Sequence, residues 1–198
     1  EEAGGPARVG AVVHAALAAY AAVLAREARE TDERGAAEVF AEAAGLANLP
    51  PAEARDAAEV WALAIAQVVR DWPPGAKVEH RVALDAAGDV VGWDSPSCRW
   101  RSIIDLAYER EPGRWVVCDW KTGRLLVEGG ALCPQLRAYA WALSRDLATG
   151  MEGATLVLRY VRMGIVQRAD VGATEIAAWP ERVAPEVERI ARAERDGV

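Results

Sequence analysis

Two short apolar runs with turn residues between them constrain this chain more than anything else in it. Ile103-Ile104-Asp105-Leu106-Ala107-Tyr108 and Trp115-Val116-Val117-Cys118-Asp119-Trp120-Lys121 are crowded with β-branched and aromatic residues, and the polar stretch from Glu109 to Gly113 separates them. Such side chains fit a pleated, half-buried surface, and Glu-Pro-Gly is turn material, so the runs are expected to pair as a β-hairpin. Side chains alternate along a strand, which sends Asp119 and Lys121 to one side and Cys118 and Trp120 to the other. Asp105 lies on the partner strand and brings a second carboxylate to the same edge.

Two carboxylates at one place repel unless a cation joins them, and hard divalent ions take one or two carboxylates while keeping several waters. A neighbouring lysine can orient or deprotonate a metal-bound water; together these groups are the equipment of metal-assisted phosphodiester hydrolysis. Asp-x-Lys before Thr122-Gly123 is also how an ordinary solvated strand end reads. Composition weighs for chemistry, because Lys77 and Lys121 are two lysines against twenty-one arginines. A compact, titratable ammonium stands where the chain elsewhere writes a planar, always-charged guanidinium.

At 198 residues the chain fits one domain, or one domain with a helical appendage, and 52% of it is hydrophobic. It has no apolar run long enough to cross a membrane, and its start, Glu1-Glu2-Ala3-Gly4-Gly5-Pro6, lacks a basic and apolar leader. A cytoplasmic protein without a membrane partner is expected, and the start without Met suggests an excised domain. Cys98, Cys118 and Cys133 form no Cys-x-x-Cys pair, which argues against a disulfide framework or a zinc site and for buried small hydrophobes. The net charge of −7 is unevenly spread. Residues 99–168 carry eleven Lys and Arg against seven Asp and Glu, or +4, and the rest carries twelve against twenty-three, or −11. A basic surface around the hairpin can hold phosphates on an otherwise acidic protein.

Val9, Val13, Leu17, Tyr20 and Leu24 recur at helical spacing from Val9 to about Arg29, with His14 on the flank of the stripe. A lone histidine there is more often a satisfied boundary residue than a ligand. Further helices are expected over Gly35 to Ala47 and Ala52 to about Asp71, as a cap or arm before the sheet. The pattern turns to alternation at Lys77 to Leu84, where Glu79 either adds a carboxylate near Asp105 or faces solvent, and His80 has no assigned role. Trp93 and Trp100 read as packing aromatics. Pro134 suits the first turn of a helix from Gln135 to about Leu147, which sets Gln135 and Tyr139 on one face. Thr155 to Val161 and Ile165 to Val171 read as a second hairpin, and Thr174 to about Ala193 as a last amphipathic helix carrying Trp179, Val183, Val187 and Ile190.

The order of His14, Asp105, Asp119-Trp120-Lys121 and Gln135-x-x-x-Tyr139 resembles the PD-(D/E)XK nuclease superfamily. The similarity is to its RecB-type branch, found in helicase–nucleases of the AddAB and RecBCD kind and in CRISPR adaptation nucleases. The resemblance implies that Asp105 and Asp119 ligate a divalent ion, Mg²⁺ or Mn²⁺, and that Lys121 positions or activates the attacking water. It further implies that His14 and the backbone carbonyl of Trp120 complete the metal site, and that Gln135 and Tyr139 contact DNA and support the centre. Two features depart from the pattern: Ser102-Ile103-Ile104-Asp105 stands where Gly-Arg-Ile-Asp is usual, and Asp119 where Glu is common. Some relatives hold an iron–sulfur cluster, for which no cysteine here falls at the right place.

The expected fold is therefore α/β, a restriction-endonuclease-like core with a mixed central sheet flanked by helices. Residues 1–75 are expected to form an N-terminal helical region carrying His14, and residues 76–198 the core, as one compact unit. The expected activity is metal-dependent hydrolysis of DNA, as an exonuclease on ends or single strands, in recombination, repair or phage and CRISPR DNA processing. A helicase or another recombination or CRISPR protein is an implied partner. The rivals are a catalytically silent nuclease-like module that binds DNA or a helicase, and a purely structural helical scaffold.

Overall fold

The computed structural model describes residues 10–19, 75–123 and 127–185. Five strands are present there: β1 (Lys77–Leu84), β2 (Trp100–Glu111), β3 (Arg114–Lys121), β4 (Gly153–Tyr160) and β5 (Ile165–Gly172). They form one sheet in the order β1-β2-β3-β4-β5. β3 and β4 run parallel and the other neighbouring pairs antiparallel, so the sheet is mixed. A first helix, α1, occupies residues 10–19. The parallel pair needs a crossover, and α2 (Pro134–Asp146) supplies it. After β5 come α3 (Ala173–Ala177), a turn at Ala178 and helical residues 179–185. The helices expected at 35–47 and 52–71, and the end of the last helix with Val187 and Ile190, lie outside the described residues.

Pro134 opens α2, where its missing N–H is not needed. Leu136, Ala140 and Leu143, spaced at three and four, are fully buried against Val82, Ile104, Val117, Leu156 and Leu158 of the sheet. Each such leucine contributes roughly 1.5–3 kcal/mol by leaving water. Trp100 meets Trp141 edge-on at 5.6 Å, a packing role as expected. His80, given no role from sequence, is 2.7 Å from Asp146 Oδ2 and ties β1 to the end of α2. Cys118 and Cys133 are buried free thiols, while Cys98 is part-exposed. Among the described residues no helix is long and apolar enough to cross a membrane.

The hairpin forms, but β2 continues to Glu111 and the turn contracts to Pro112 and Gly113, with φ 72° at the glycine. Charged residues do not stop a ladder whose end stands in water, and a register shift between Glu109 and Glu111 accommodates them. At the other end the β2–β3 ladder reaches Leu106↔Cys118 and stops, while β3 stays paired with β4 to Lys121↔Tyr160. On its other edge β2 pairs with β1 at Val78↔Leu106 and again at His80↔Ile104. Between these, Glu79 falls opposite Asp105 and takes φ 47°. Both ladders of β2 are thus broken at Asp105, and the sheet forks there.

Candidate metal centre

The fork opens into a cleft of about 400 Å³ lined by His14, Glu79, Asp105, Asp119, Trp120, Lys121, Gln135 and Tyr139, together with Ile103, Thr122 and Gly123. Every residue the sequence singled out for chemistry lies on this one cleft. Asp105 is buried and divided between two tasks. Its Oδ2 accepts the backbone N–H of Trp120 at 2.6 Å, satisfying a donor that the interrupted ladder would otherwise leave unpaired. Its Oδ1 faces His14 Nδ1 at 3.5 Å.

α1 buries Val12, Val13, Ala16 and Leu17 and leaves His14 on the flank of that face, as its spacing predicts. Nε2 lies 3.1 Å from the carbonyl oxygen of Trp120, which can only accept, so Nε2 carries a hydrogen. The ring also meets Trp120 edge-on at 5.9 Å. These contacts aim Nδ1 at Asp105 and at Glu79 Oε1, 3.6 Å away. Burial by itself lowers the histidine pKa, but the carboxylates of Asp105 and Glu79 outweigh it and raise the value to about 10. At neutral pH the metal-free centre therefore holds an imidazolium between two carboxylates.

Glu79 turns inward because of its backbone. A left-handed φ costs a non-glycine residue roughly 1–2 kcal/mol. It reverses the alternation expected of a solvent-facing strand residue. The same side chain leaves Oε1 buried without a hydrogen-bond partner. Backbone strain and a buried carboxylate oxygen whose charge is met, among the described residues, only by the His14 ion pair coincide, and surroundings hold such a pairing mainly where a site uses it.

Ligand atoms from His14, Glu79 and Asp105 all lie within 4.8 Å of one another. Two carboxylate oxygens and an imidazole nitrogen are a donor set for a divalent cation. The crowded carboxylates of Glu79, Asp105 and Asp119, with Glu79 Oε1 buried and lacking a hydrogen bond, are what such a cation would relieve, so the residues fit the group.

Asp119 stands beside this trio and is engaged otherwise. Burial, and then the charge of Asp105, push its pKa up to about 6, while Lys121 pulls the other way from 2.6 Å. Lys121 Nζ also donates to Gln135 Oε1 at 2.7 Å, and Gln135 Nε2 donates to the Tyr139 hydroxyl at 2.8 Å. Tyr139, pushed up to about 12 chiefly by burial, stays a neutral phenol. An ammonium has three N–H bonds. Two are directed at Asp119 and Gln135, which leaves one for a water or a phosphate oxygen.

Sequence reasoning missed the rim. Ile103 is exposed, and a Cβ on Gly10 would come within 3.0 Å of Thr122 Oγ1, so α1 closes directly against the loop after β3. Thr122-Gly123 read only as a turn, and its one signal was its place next to Lys121. The carbonyl of Trp120, expected among the oxygen ligands, accepts from His14 in this arrangement.

No curated protein matches the chain. The family model of the PD-(D/E)XK nuclease superfamily matches residues 1–197. Divalent-metal hydrolysis of nucleic acid is the activity of that group, and the forked mixed sheet with its acidic cleft is the framework it requires. The chain belongs to the PD-(D/E)XK nuclease superfamily.

Proposed function

We propose that this protein is a RecB-type deoxyribonuclease, hydrolysing DNA phosphodiesters with Mg²⁺ or Mn²⁺ and acting as an exonuclease on ends or single strands. A bound divalent ion would polarise the phosphate and lower the pKa of an attacking water. His14 Nδ1, Glu79 and Asp105 would hold it, with Asp119 and the Trp120 backbone carbonyl as further oxygen donors. Asp119 and Gln135 fix the Lys121 ammonium so that its remaining N–H meets the water or the phosphate charge as it develops. Tyr139 holds Gln135 in turn, so removing its hydroxyl loosens the lysine from two residues away. The low-dielectric fork strengthens each of these contacts relative to water.

One observation carries the reading: the three-donor cluster and a lysine with a spare N–H converge on a single cleft. The branch and the exonuclease mode rest on the motif order from His14 to Tyr139. The test is cleavage of end-labelled linear and circular DNA, single- and double-stranded, with Mg²⁺, Mn²⁺ or EDTA, wild type beside Lys121→Ala. Metal-dependent loss of linear but not circular DNA, absent in the variant, supports the exonuclease. Cutting of circles makes it an endonuclease. No cleavage by folded protein with either metal leaves a silent DNA- or helicase-binding module.

A further inference from the structure

A second feature lies on the same sheet, beyond the metal centre. Arg81 and Arg101 both converge on the indole of Trp93, with guanidinium carbons 5.3 and 5.9 Å from the ring centroid. Arg101 Nε also donates to the Trp93 carbonyl at 3.0 Å. Two cations on one ring repel, and among the described residues neither is paired with a carboxylate. The ring face offsets part of that repulsion and holds both groups in place while they remain exposed.

This cluster is continuous with the cleft. Val82, Ser102 and Ile104 are buried on the α2 side of β1 and β2, so Arg81, Arg101 and Ile103, all exposed, share the opposite face, uncovered by the described residues. Arg81 is the direct register partner of Ile103, which itself lines the cleft beside Asp105. Arg101 is four residues from Asp105 along β2, about 14 Å at strand spacing. Between the cations and the carboxylates lies exposed apolar surface in the form of Ile103.

We infer that the open face of β1 and β2, centred on Arg81, Trp93 and Arg101, is a binding track for the single-stranded part of the DNA whose end enters the cleft. The two guanidiniums, held on the Trp93 ring, take backbone phosphates, and exposed Ile103 offers apolar surface to unstacked bases. A duplex would use the charge but bury its bases within the stack, leaving that surface without a function. This inference rests on the cleft being a DNA site.

The test separates the track from the chemistry. Binding of a fluorescent oligothymidylate is measured by anisotropy in EDTA across a salt series, for wild type and for Arg81→Ala/Arg101→Ala. Hydrolysis of bis(p-nitrophenyl) phosphate with Mn²⁺, a diester too small to reach the track, is measured on both proteins. The variant is expected to bind about tenfold more weakly, with a log–log salt slope smaller by about 1.4 for two lost phosphate contacts. Its small-diester hydrolysis and melting temperature should match wild type, because both side chains are exposed. Wild-type affinity and slope in the variant overturn the track even if hydrolysis is present. An equal loss of affinity for a blunt duplex also overturns it, since the surface would then read only backbone charge. If neither protein hydrolyses the diester or labelled DNA but the variant still loses oligothymidylate binding, the nuclease reading falls and the track stands as part of a silent DNA-binding module.

Discussion

Lys121 sits 2.6 Å from Asp119 and 2.7 Å from Gln135, and this placement separates its role from that of the donor trio. Lys121→Ala should lower cleavage by about 10²- to 10⁴-fold, the range for a positioned proton-transfer or charge-stabilising group. Metal binding should survive, because none of His14, Glu79 and Asp105 is changed. Titration with Mn²⁺ checks that, and loss of binding in the variant would make Lys121 part of the metal site itself. Glu79 gives a prediction of its own. Glycine occupies φ 47° without a Cβ penalty, so Glu79→Gly should exceed Glu79→Gln in metal-free unfolding free energy by about 1 kcal/mol, both having lost the charge beside His14 and both shrinking the stabilisation that Mn²⁺ provides. Glu79→Gln keeps the strained φ. Denaturant titrations in EDTA and in Mn²⁺ measure both effects, and a Glu79→Gly variant no more stable in EDTA than Glu79→Gln would show that the backbone there is not strained. This residue was also the least legible in the sequence: alternation leaves its direction open, and nothing in the residue type announces a left-handed backbone.

The hairpin that positions Asp105 and Asp119 was legible because both strands carry β-branched and aromatic residues on either side of a Pro-Gly turn. Helix α2 was legible because Pro134 and the three-and-four spacing of Leu136, Ala140 and Leu143 agree. The parallel pairing of β3 with β4 was not, since the hydrophobic content of a strand does not state its neighbour's direction. Nor was the burial of both faces of β3, which puts Asp119 at 2% exposure rather than at a wet strand end. Trp93, read as a packing aromatic, instead gathers two arginines, because cation–π contacts join residues far apart in sequence. The β4–β5 pair that backs the site has its own weak point at Gly153. A Cβ there would stand 2.9 Å from the carbonyl oxygen of Val171 on the facing strand, and backbone cannot step aside as a side-chain tip can. Gly153→Ala should cost about 1–3 kcal/mol, as other overpacked positions do, and appear as a lower urea midpoint. Cleavage per folded molecule should stay at the wild-type level, because Gly153 lies at the end of β4 remote from Tyr160, the partner of Lys121. A full loss of activity with an unchanged midpoint would mean that the strand pair tunes the centre directly.

Across the whole molecule the negative excess is concentrated outside residues 99–168, yet the most consequential crowding of charge is at the fork. There Glu79, Asp105 and Asp119 share one cleft, and in the metal-free protein protons carry the compensating charge. Asp119 is raised from an ordinary 3.8 to about 6, and His14 from 6.5 to about 10. Both groups bind their protons more tightly folded than unfolded, so both favour the fold at low pH. The contribution of Asp119 is complete below 3.8 and gone above about 6; that of His14 is complete below 6.5 and fades up to about 10. On the proposed ligand set, a divalent ion at the same place would supply positive charge that does not titrate away, and it would compete with the His14 proton for Nδ1. Metal-free stability from this centre should therefore fall as pH rises above 6.5, while the stabilisation given by a fixed Mg²⁺ concentration should grow over the same interval. At about one hundred times the dissociation constant that stabilisation reaches about 2.7 kcal/mol. Melting curves in EDTA and in Mg²⁺ at a series of pH values on either side of neutrality measure the gap directly. His14→Ala should flatten its pH dependence and narrow it throughout. A gap that is constant with pH would mean that the ion does not displace the imidazole proton, and that the carboxylates alone hold it.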